Sequence, residues 1–150
     1  MGMTVWEWFE QRSFHHGDFR DIAAPGVRRP TVTLIFPARN VAGTIGDILD
    51  KVAAVRARTG LPDQVVVVDG DSRDGTARVA REHGAEVYSE NELLSAYGPA
   101  QGKGDAMWRS LSVAWGDIVM FADSDTTDFE EQFVYGTLGP LLADPGIAFC

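Results

Sequence analysis

The stretch Asp117-Ile118-Val119-Met120-Phe121-Ala122-Asp123-Ser124-Asp125 decides the fold class of this chain. A short apolar run between Gly116 and an acidic cluster is typical of a strand in a parallel sheet that is covered on both faces. Open α/β sheets bind ligands outside the carboxyl ends of their strands, which places Asp123 and Asp125 at a ligand site. Carboxylates are the hard oxygen ligands that Mg²⁺ or Mn²⁺ takes together with water and substrate phosphates. The stretch therefore predicts a metal–diphosphate site, and the alternative is that these aspartates cap a following helix.

The composition bounds the class of protein. The chain has 150 residues, 45% hydrophobic and 23% charged, which suffices for one domain with a core. A formal net charge of −9 argues against a nucleic-acid backbone or an anionic membrane surface as the main partner. No apolar run approaches the roughly 20 residues of a membrane span, and Cys150 is the only cysteine. We therefore expect a cytoplasmic protein that binds neither nucleic acid nor membrane.

Strands and helices alternate along the predicted core. Apolar, β-branched runs predict strands at 31–36, 64–69 and 85–88, besides the strand quoted above. Helical spacing predicts four helices. The first starts after Thr44, the second spans 76–83, the third starts at residue 104 or 105, and the fourth starts at residue 133 and is interrupted at 139–140. This alternation predicts an α/β fold with a mostly parallel sheet flanked by helices. Residues 1–30 are expected to form an N-terminal arm, and residues 31–150 the domain.

Two segments carry further expectations. Residues 89–101, which include Gly98 and Pro99, are predicted to form a mobile loop. The run 147–150 is predicted to begin a strand with no turn or helix after it. We therefore expect a truncated domain, the N-terminal half of something larger.

Three loops follow three of the predicted strands and should meet at one edge of the sheet, since parallel strands share the direction of their carboxyl ends. They are residues 37–40, 69–75 and 123–125. The second loop has two aspartates spaced as in a calcium-binding loop, but Arg73 stands at the fifth position and Ala80 where the bidentate glutamate belongs, which excludes that site. The remaining role for Ser72 or Asp74 is to cap the next helix.

The segment Gly102-Lys103-Gly104 precedes a predicted helix and favours phosphate binding, because glycines allow a close approach and helix N-termini favour negative charge. The spacing from Gly98 does not fit a P-loop, and a flexible surface lysine is the alternative. A diphosphate beside Asp123 and Asp125 would meet repulsion of about 4 kcal/mol per charge pair at about 4 Å. One lysine cannot offset this repulsion, so the sequence predicts a divalent cation, with Lys103 on the far side of the diphosphate.

The order of these elements resembles nucleotide-sugar glycosyltransferases with the Rossmann-like GT-A fold. Within that fold the chain is similar to the glucosyl-3-phosphoglycerate synthase family of retaining enzymes. The residues that carry the resemblance are Gly102-Lys103-Gly104-Asp105-Ala106-Met107-Trp108-Arg109-Ser110-Leu111, then Gly116-Asp117-Ile118-Val119, and then Asp123-Ser124-Asp125. The likeness covers nearly the whole chain and implies a nucleotide-sugar-binding half whose acceptor half is missing.

The resemblance also implies roles for individual residues. Asp125 and Asp123 would hold Mg²⁺ or Mn²⁺, and Asp125 and Lys103 would be the catalytic residues. The nucleotide-sugar-binding residues it implies are Pro37, Ala38, Arg39, Asp69, Gly70, Ser72, Gly102, Lys103, Asp123 and Ser124. The chain departs from the family at Gly70-Asp71, where Ser-Gly is common, and the family's metal-binding histidine would lie beyond Cys150.

The implied reaction moves a hexose, in the first instance glucose from UDP-glucose, to a small phosphorylated acceptor such as 3-phosphoglycerate. Retention in this family is thought to proceed by front-face departure of the nucleoside diphosphate with the metal as Lewis acid, so no enzyme nucleophile is expected. The enzyme could form a homodimer. Two alternatives stay open: an inverting GT-A transferase that makes polysaccharide or a lipid-linked sugar, and a nucleotide-sugar-binding module without turnover.

Overall fold

The computed structural model describes residues 2–22 and 29–150. At its centre lies a four-stranded sheet with the order β3-β2-β1-β4, and every pairing in it is parallel. The strands are β1 (Val32–Ala38), β2 (Gln64–Asp69), β3 (Glu86–Ser89) and β4 (Ile118–Phe121). The α/β class and the parallel sheet predicted from the sequence are confirmed, with β3 one residue further along than expected.

Helices connect the strands and cover both faces of the sheet. Over the described residues the α-helices are α1 (Val5–Arg12), α2 (Ile45–Thr59), α3 (Thr76–Glu82), α4 (Lys103–Ser110) and α5 (Glu131–Ala143). Short 3-10 helices span His16–Phe19 and Ser95–Tyr97. None of the helices in the described part of the chain is long and apolar enough to cross a membrane.

Strand β1 is the middle of the core. Its residues Val32, Leu34 and Phe36 are fully buried against side chains of α2 and α5 on one face. Ile35 points to the other face, where it packs in a second cluster with Ala106 of α4. A strand buried on both faces needs a near-continuous apolar sequence. For this reason β1 and β2 could be predicted from their runs of apolar residues.

Strand β1 does not stop at Pro37, as predicted, but continues to Ala38. Pro37 pairs in register with Val68 of β2, and Ala38 pairs with Asp69. The backbone of Pro37 is directed towards β4, because Pro37 O accepts a hydrogen bond from Ser124, which follows β4. The pairing of β1 with β4 ends before this point, at Ile35 and Phe121. A proline lacks only the N–H group, and at this position β4 no longer offers a partner for it. The strand therefore tolerates the proline.

Helix α5 is also uninterrupted, although the sequence predicted a break at Gly139-Pro140. The glycines of this helix let the 3-10 helix at His16–Phe19 approach closely. A Cβ at Gly139 would overlap the Phe19 ring, and one at Gly136 would lie 2.8 Å from His16 Cβ. The tertiary contact holds the helix together across a proline that local propensity treats as a breaker.

Several smaller expectations are corrected. Residues 147–150 form no strand, although the sequence predicted one. Helix α4 begins at Lys103, slightly earlier than predicted. Thr44 precedes α2 but makes no side-chain capping bond. Part of the predicted N-terminal arm, residues 23–28, lies outside the described residues, and the division at residue 30 stays a prediction.

The close approach at Gly116 predicts a specific cost of substitution. Gly116 N donates to Thr33 Oγ1 at 2.9 Å, and a Cβ at this glycine would lie 2.5 Å from Thr33 N. We expect Gly116→Ala to lower the free energy of unfolding by about 1–3 kcal/mol, because the backbone of β1 cannot move away. The measurement is chemical denaturation. Gly104→Ala, in a helical position with open space, is the control and should be neutral or stabilising by up to about 1 kcal/mol.

Candidate functional site

The carboxyl ends of β1, β2 and β4 surround one cavity of about 240 Å³. All residues that the sequence analysis assigned to the site line this cavity, except Asp69 and Ser72. The lining residues are Pro37, Ala38, Arg39, Val41, Val68, Gly70, Glu90, Gly102, Lys103, Ala106, Asp123, Ser124 and Asp125. The structure thus brings together three loops that are far apart in the sequence, as expected for the ends of parallel strands. The roles of the individual residues stay predictions.

Asp69 and Ser72 do not line the cavity but hydrogen-bond within and between the loops that form it. Asp69 Oδ2 accepts a hydrogen bond from Ser72 N at 3.2 Å, and Ser72 Oγ accepts one from Asn40 N at 2.8 Å. Asp69 Oδ1 is buried and has no hydrogen-bond partner among the described residues. These two residues join the second loop to the first, a contact that residue type and spacing do not reveal.

The first loop is held by side chains of the second. Backbone N–H groups of residues 40–42 donate in turn to Ser72 Oγ, Thr76 Oγ1 and Asp74 Oδ2, at 2.8, 2.8 and 2.9 Å. Asn40, with a φ of 54°, also accepts from Arg73 N at 2.9 Å. The N–H groups of 40–42 therefore fix the backbone and are already used when a ligand arrives.

Asp74 contributes to this join as a charged acceptor. Its carboxylate also accepts from the Thr76 hydroxyl at 2.6 Å and from Thr76 N at 3.0 Å. The hydrogen bond from the Thr76 hydroxyl, then the one from Ala42 N, lowers the pKa of Asp74. Neither Ser72 nor Asp74 is the N-cap residue of α3, which is Gly75. Asp74 accepts from the N–H of Thr76, the first residue of α3, whereas Ser72 accepts from the first loop.

The acidic triplet is anchored through its middle residue. Ser124 is 5% exposed, and its hydroxyl donates to Pro37 O at 2.7 Å. Thr44 Oγ1 donates to Ser124 O at 2.8 Å. The hydroxyl that was expected to cap α2 therefore binds the acidic triplet instead. Because Ser124 is held on both sides, the flanking carboxylates Asp123 and Asp125 are directed towards the cavity mouth.

Lys103 and Asp123 form an ion pair across that mouth. Lys103 is the first residue of α4 and follows Gly102, whose φ of 89° suits a glycine. Both charged side chains are 60% exposed, so the pair is accessible to a ligand. Asp125 forms no ion pair or side-chain hydrogen bond among residues 2–22 and 29–150.

The donor set at this mouth fits a divalent cation that is shared with a substrate. Asp123 and Asp125 offer carboxylate oxygens on one short segment. No group of three or more potential metal-binding side chains occurs within the described ranges. Mg²⁺ and Mn²⁺ accept one or two protein carboxylates when water and phosphates supply the other ligands. The residues present therefore suit a cation that binds with a diphosphate, and they do not suit a cage made by protein alone.

A buried arginine, which sequence reasoning missed, organises the segment before Lys103. Arg109 is 1% exposed, and its guanidinium donates to Leu93 O and Gly98 O, both at 2.8 Å. It also bonds Asp105 Oδ2 at 3.1 Å, and the same oxygen accepts from Gln101 N at 2.9 Å. The predicted loop at 89–101 thus wraps around one buried cation. The spacing of Asp105 and Arg109, four residues apart on a predicted helix, was the sequence feature that could have indicated this ion pair.

Glu90 is a second missed residue: it follows the short third strand, and none of the three loops assigned to the site includes it. Burial of its carboxylate raises the pKa of Glu90, and the negative charges of Asp71 and Asp69 add to this rise. Arg39 and Arg109 act in the opposite direction. The net effect is a raised pKa, so the folded protein disfavours the ionised form of this side chain.

A parallel α/β sheet with an Asp-Ser-Asp triplet and a lysine-bearing helix N-terminus at its carboxyl edge defines a glycosyltransferase domain of the GT-A class. The family model for Glycosyl transferase family 2 matches residues 33–150. The chain belongs to this family.

Individual proteins similar to this chain include synthases of glucosyl- and mannosyl-3-phosphoglycerate. The chain is 35% identical over 144 residues to the glucosyl-3-phosphoglycerate synthase of Petrotoga mobilis, covering 93% of this chain and 44% of the relative. It resembles the crystal structure of the mannosyl-3-phosphoglycerate synthase of Rubrobacter xylanophilus with a TM-score of 0.86 and 53% identity, covering 95% of this chain and 47% of that one.

A third relative shows the ligands that such a site can hold. The glucosyl-3-phosphoglycerate synthase of Mycobacterium tuberculosis, in complex with Mn²⁺, UDP and glucosyl-3-phosphoglycerate, matches with a TM-score of 0.72 and 36% identity, over 89% of this chain and 46% of that one. The chain thus spans less than half the length of these relatives.

The raised pKa of Glu90 predicts a pH-dependent stability. Because the folded pKa lies above the ordinary value of 4.5, the wild type should lose stability as pH rises through the folded pKa. We expect Glu90→Gln to raise the melting temperature at pH 7, with a gain that disappears below about pH 4.5. Thermal melts from pH 4 to 8 measure this, with the exposed neighbour substitution Glu92→Gln as control. A gain that is constant across this range would contradict the assignment.

Proposed function

We propose that this chain is the donor-binding part of a retaining hexosyltransferase that uses a nucleoside diphosphate hexose and 3-phosphoglycerate. The observation that carries the proposal is the meeting of Lys103 with Asp123 and Asp125 at the mouth of one cavity. The three relatives described above, which make glucosyl- or mannosyl-3-phosphoglycerate, support the acceptor. UDP-glucose is the first donor to test, as the sequence suggested, and GDP-mannose is the second.

The charges at the cavity mouth suit a diphosphate only if they are rearranged. Lys103 is paired with Asp123, and an arriving diphosphate offers the ammonium group a second, more negative partner. Like charges on Asp123, Asp125 and the diphosphate repel one another, so a divalent cation is required between them. Lys103 would then pair with the diphosphate, and Asp123 and Asp125 would hold the cation.

The chain's own residues perform the steps that follow from this arrangement. Asp125 and Asp123 would hold Mg²⁺ or Mn²⁺, which when bound supplies Lewis-acid charge to the leaving diphosphate. Lys103, at the same cavity mouth as Asp123 and Asp125, would stabilise the negative charge that develops on the leaving group. Thr44 and Ser124 keep the acidic segment in place, so little reorganisation is needed.

Several expectations about the whole protein stay proposals. These are a cytoplasmic location, the absence of a nucleic-acid partner, and a homodimer. The inverting polysaccharide or lipid-linked-sugar transferase and the module without turnover are the competing functions. Transfer to 3-phosphoglycerate with retention would exclude both, whereas metal-dependent donor binding without transfer would favour the module.

Asp125 is the residue that tests the metal. We expect Asp125→Asn to reduce the gain in UDP-glucose affinity on adding Mn²⁺ by about tenfold or more, because a cation ligand is lost. Isothermal titration calorimetry with and without Mn²⁺ measures this gain. Asp128→Asn, an exposed carboxylate nearby, should leave it unchanged. An undiminished Mn²⁺ effect in Asp125→Asn would refute the metal assignment.

Lys103 tests the diphosphate. We expect Lys103→Ala to weaken UDP-glucose by about tenfold, through loss of a charge-assisted contact, with little effect on uridine. The ratio of the two dissociation constants is the measurement. Lys51→Ala is the control, since Lys51 binds Phe129 O and Glu130 instead of lining the cavity. Equal losses for both ligands would show that Lys103 does not contact the diphosphate.

A further inference from the structure

Gly70 leaves a space in the cavity wall, and Glu90, the residue that follows β3, fills it. An ideal Cβ at Gly70 would lie 3.3 Å from Glu90 Oε2 and 3.4 Å from Glu90 Oε1. The carboxylate therefore occupies the region that a side chain at position 70 would reach.

The backbone fixes Glu90 at the end of the cavity far from the phosphate-binding residues. Glu90 N donates to Asp69 O at 3.0 Å, which extends the pairing of β2 with β3 by one residue. The sheet order puts β3 and β4 at opposite edges, a separation of about 14 Å at the usual strand spacing. Asp123 and Lys103 lie at the β4 edge. A nucleotide whose diphosphate binds there extends its base towards Gly70 and Glu90.

The Glu90 carboxylate is available to a ligand. It lines the cavity, is partly buried, and accepts no hydrogen bond from any of the described residues. Burial and the charge of Asp71 both disfavour its ionised form. A ligand that donates a hydrogen bond to the carboxylate would relieve this unfavourable state, whereas a ligand that presents an acceptor would worsen it.

We propose that Glu90 determines which nucleobase the site accepts, by receiving a hydrogen bond from a ring N–H of the base. The inference rests on the proposed function. Uracil carries such a hydrogen at N3 and guanine at N1, so both fit the same acceptor. Cytosine N3 and adenine N1 are themselves acceptors, and they would face the carboxylate with like polarity. Glu90 is thus a specificity residue that selects uracil or guanine donors.

The test measures dissociation constants of UDP, GDP, CDP and ADP with Mn²⁺ for the wild type, Glu90→Gln and Glu92→Gln. The wild type should bind UDP or GDP with a dissociation constant about tenfold or more lower than those of CDP and ADP. This factor corresponds to the loss of one hydrogen bond to a charged group. A glutamine amide offers both a donor and an acceptor, so it can also pair with N3 and the amino group of cytosine. Glu90→Gln should therefore narrow the preference for UDP over CDP by about tenfold, a change that altered stability alone would not cause.

Each outcome supports or contradicts the role of Glu90 in base selection. The UDP and GDP titrations tell which base supplies the N–H group, and Glu92→Gln should reproduce the wild-type ratios. If Glu90→Gln weakens all four nucleotides equally, Glu90 binds the ribose or supports the fold, and the proposal is overturned. If UDP or GDP binds but the ratios do not change, only this inference fails. If no nucleoside diphosphate binds the wild type, the proposed function fails with it.

Discussion

The site depends on the connection between the ends of β1 and β4. Ser124 donates to Pro37 O, and Thr44 donates to Ser124 O, so one buried hydroxyl and one backbone carbonyl link the acidic segment to the first loop and to α2. Without this connection, Asp123 and Asp125 would lie on a loop free to move. Preorganised charge is worth more than mobile charge because it is not reordered when a ligand binds.

A second set of bonds ties the first loop to the second. Side chains at 72, 74 and 76 accept from three successive N–H groups of the first loop, and Arg109 holds the segment that leads to Lys103. In the first loop, the backbone N–H groups of residues 40–42 are thus satisfied by protein. The charged side chains that line the cavity and can meet a ligand are Arg39, Glu90, Lys103, Asp123 and Asp125. Of these, Lys103 and Asp123 already form an ion pair with each other.

Sequence reasoning was most reliable where one local property decided the outcome. The runs that became β1 and β2 had to be apolar because both sheet faces are covered, and the loops after them had to meet because the strands are parallel. It failed where a distant contact overrode local preference. Pro37 stays inside β1 because β4 has ended beside it, and Pro140 stays inside α5 because Phe19 packs against Gly139.

The sequence by itself therefore determined the order of strands and helices and the resemblance to a family, and it predicted Asp123, Asp125 and Lys103 as the residues of a diphosphate site. These follow from short-range pattern and from charge, which the printed residues carry directly. Only the tertiary structure decided that Ser124 is a buried anchor, that Arg109 organises a loop, and that the Glu90 carboxylate stands beside Gly70. Such facts depend on which strands lie side by side, because neighbours across a sheet are set by packing and not by distance along the chain.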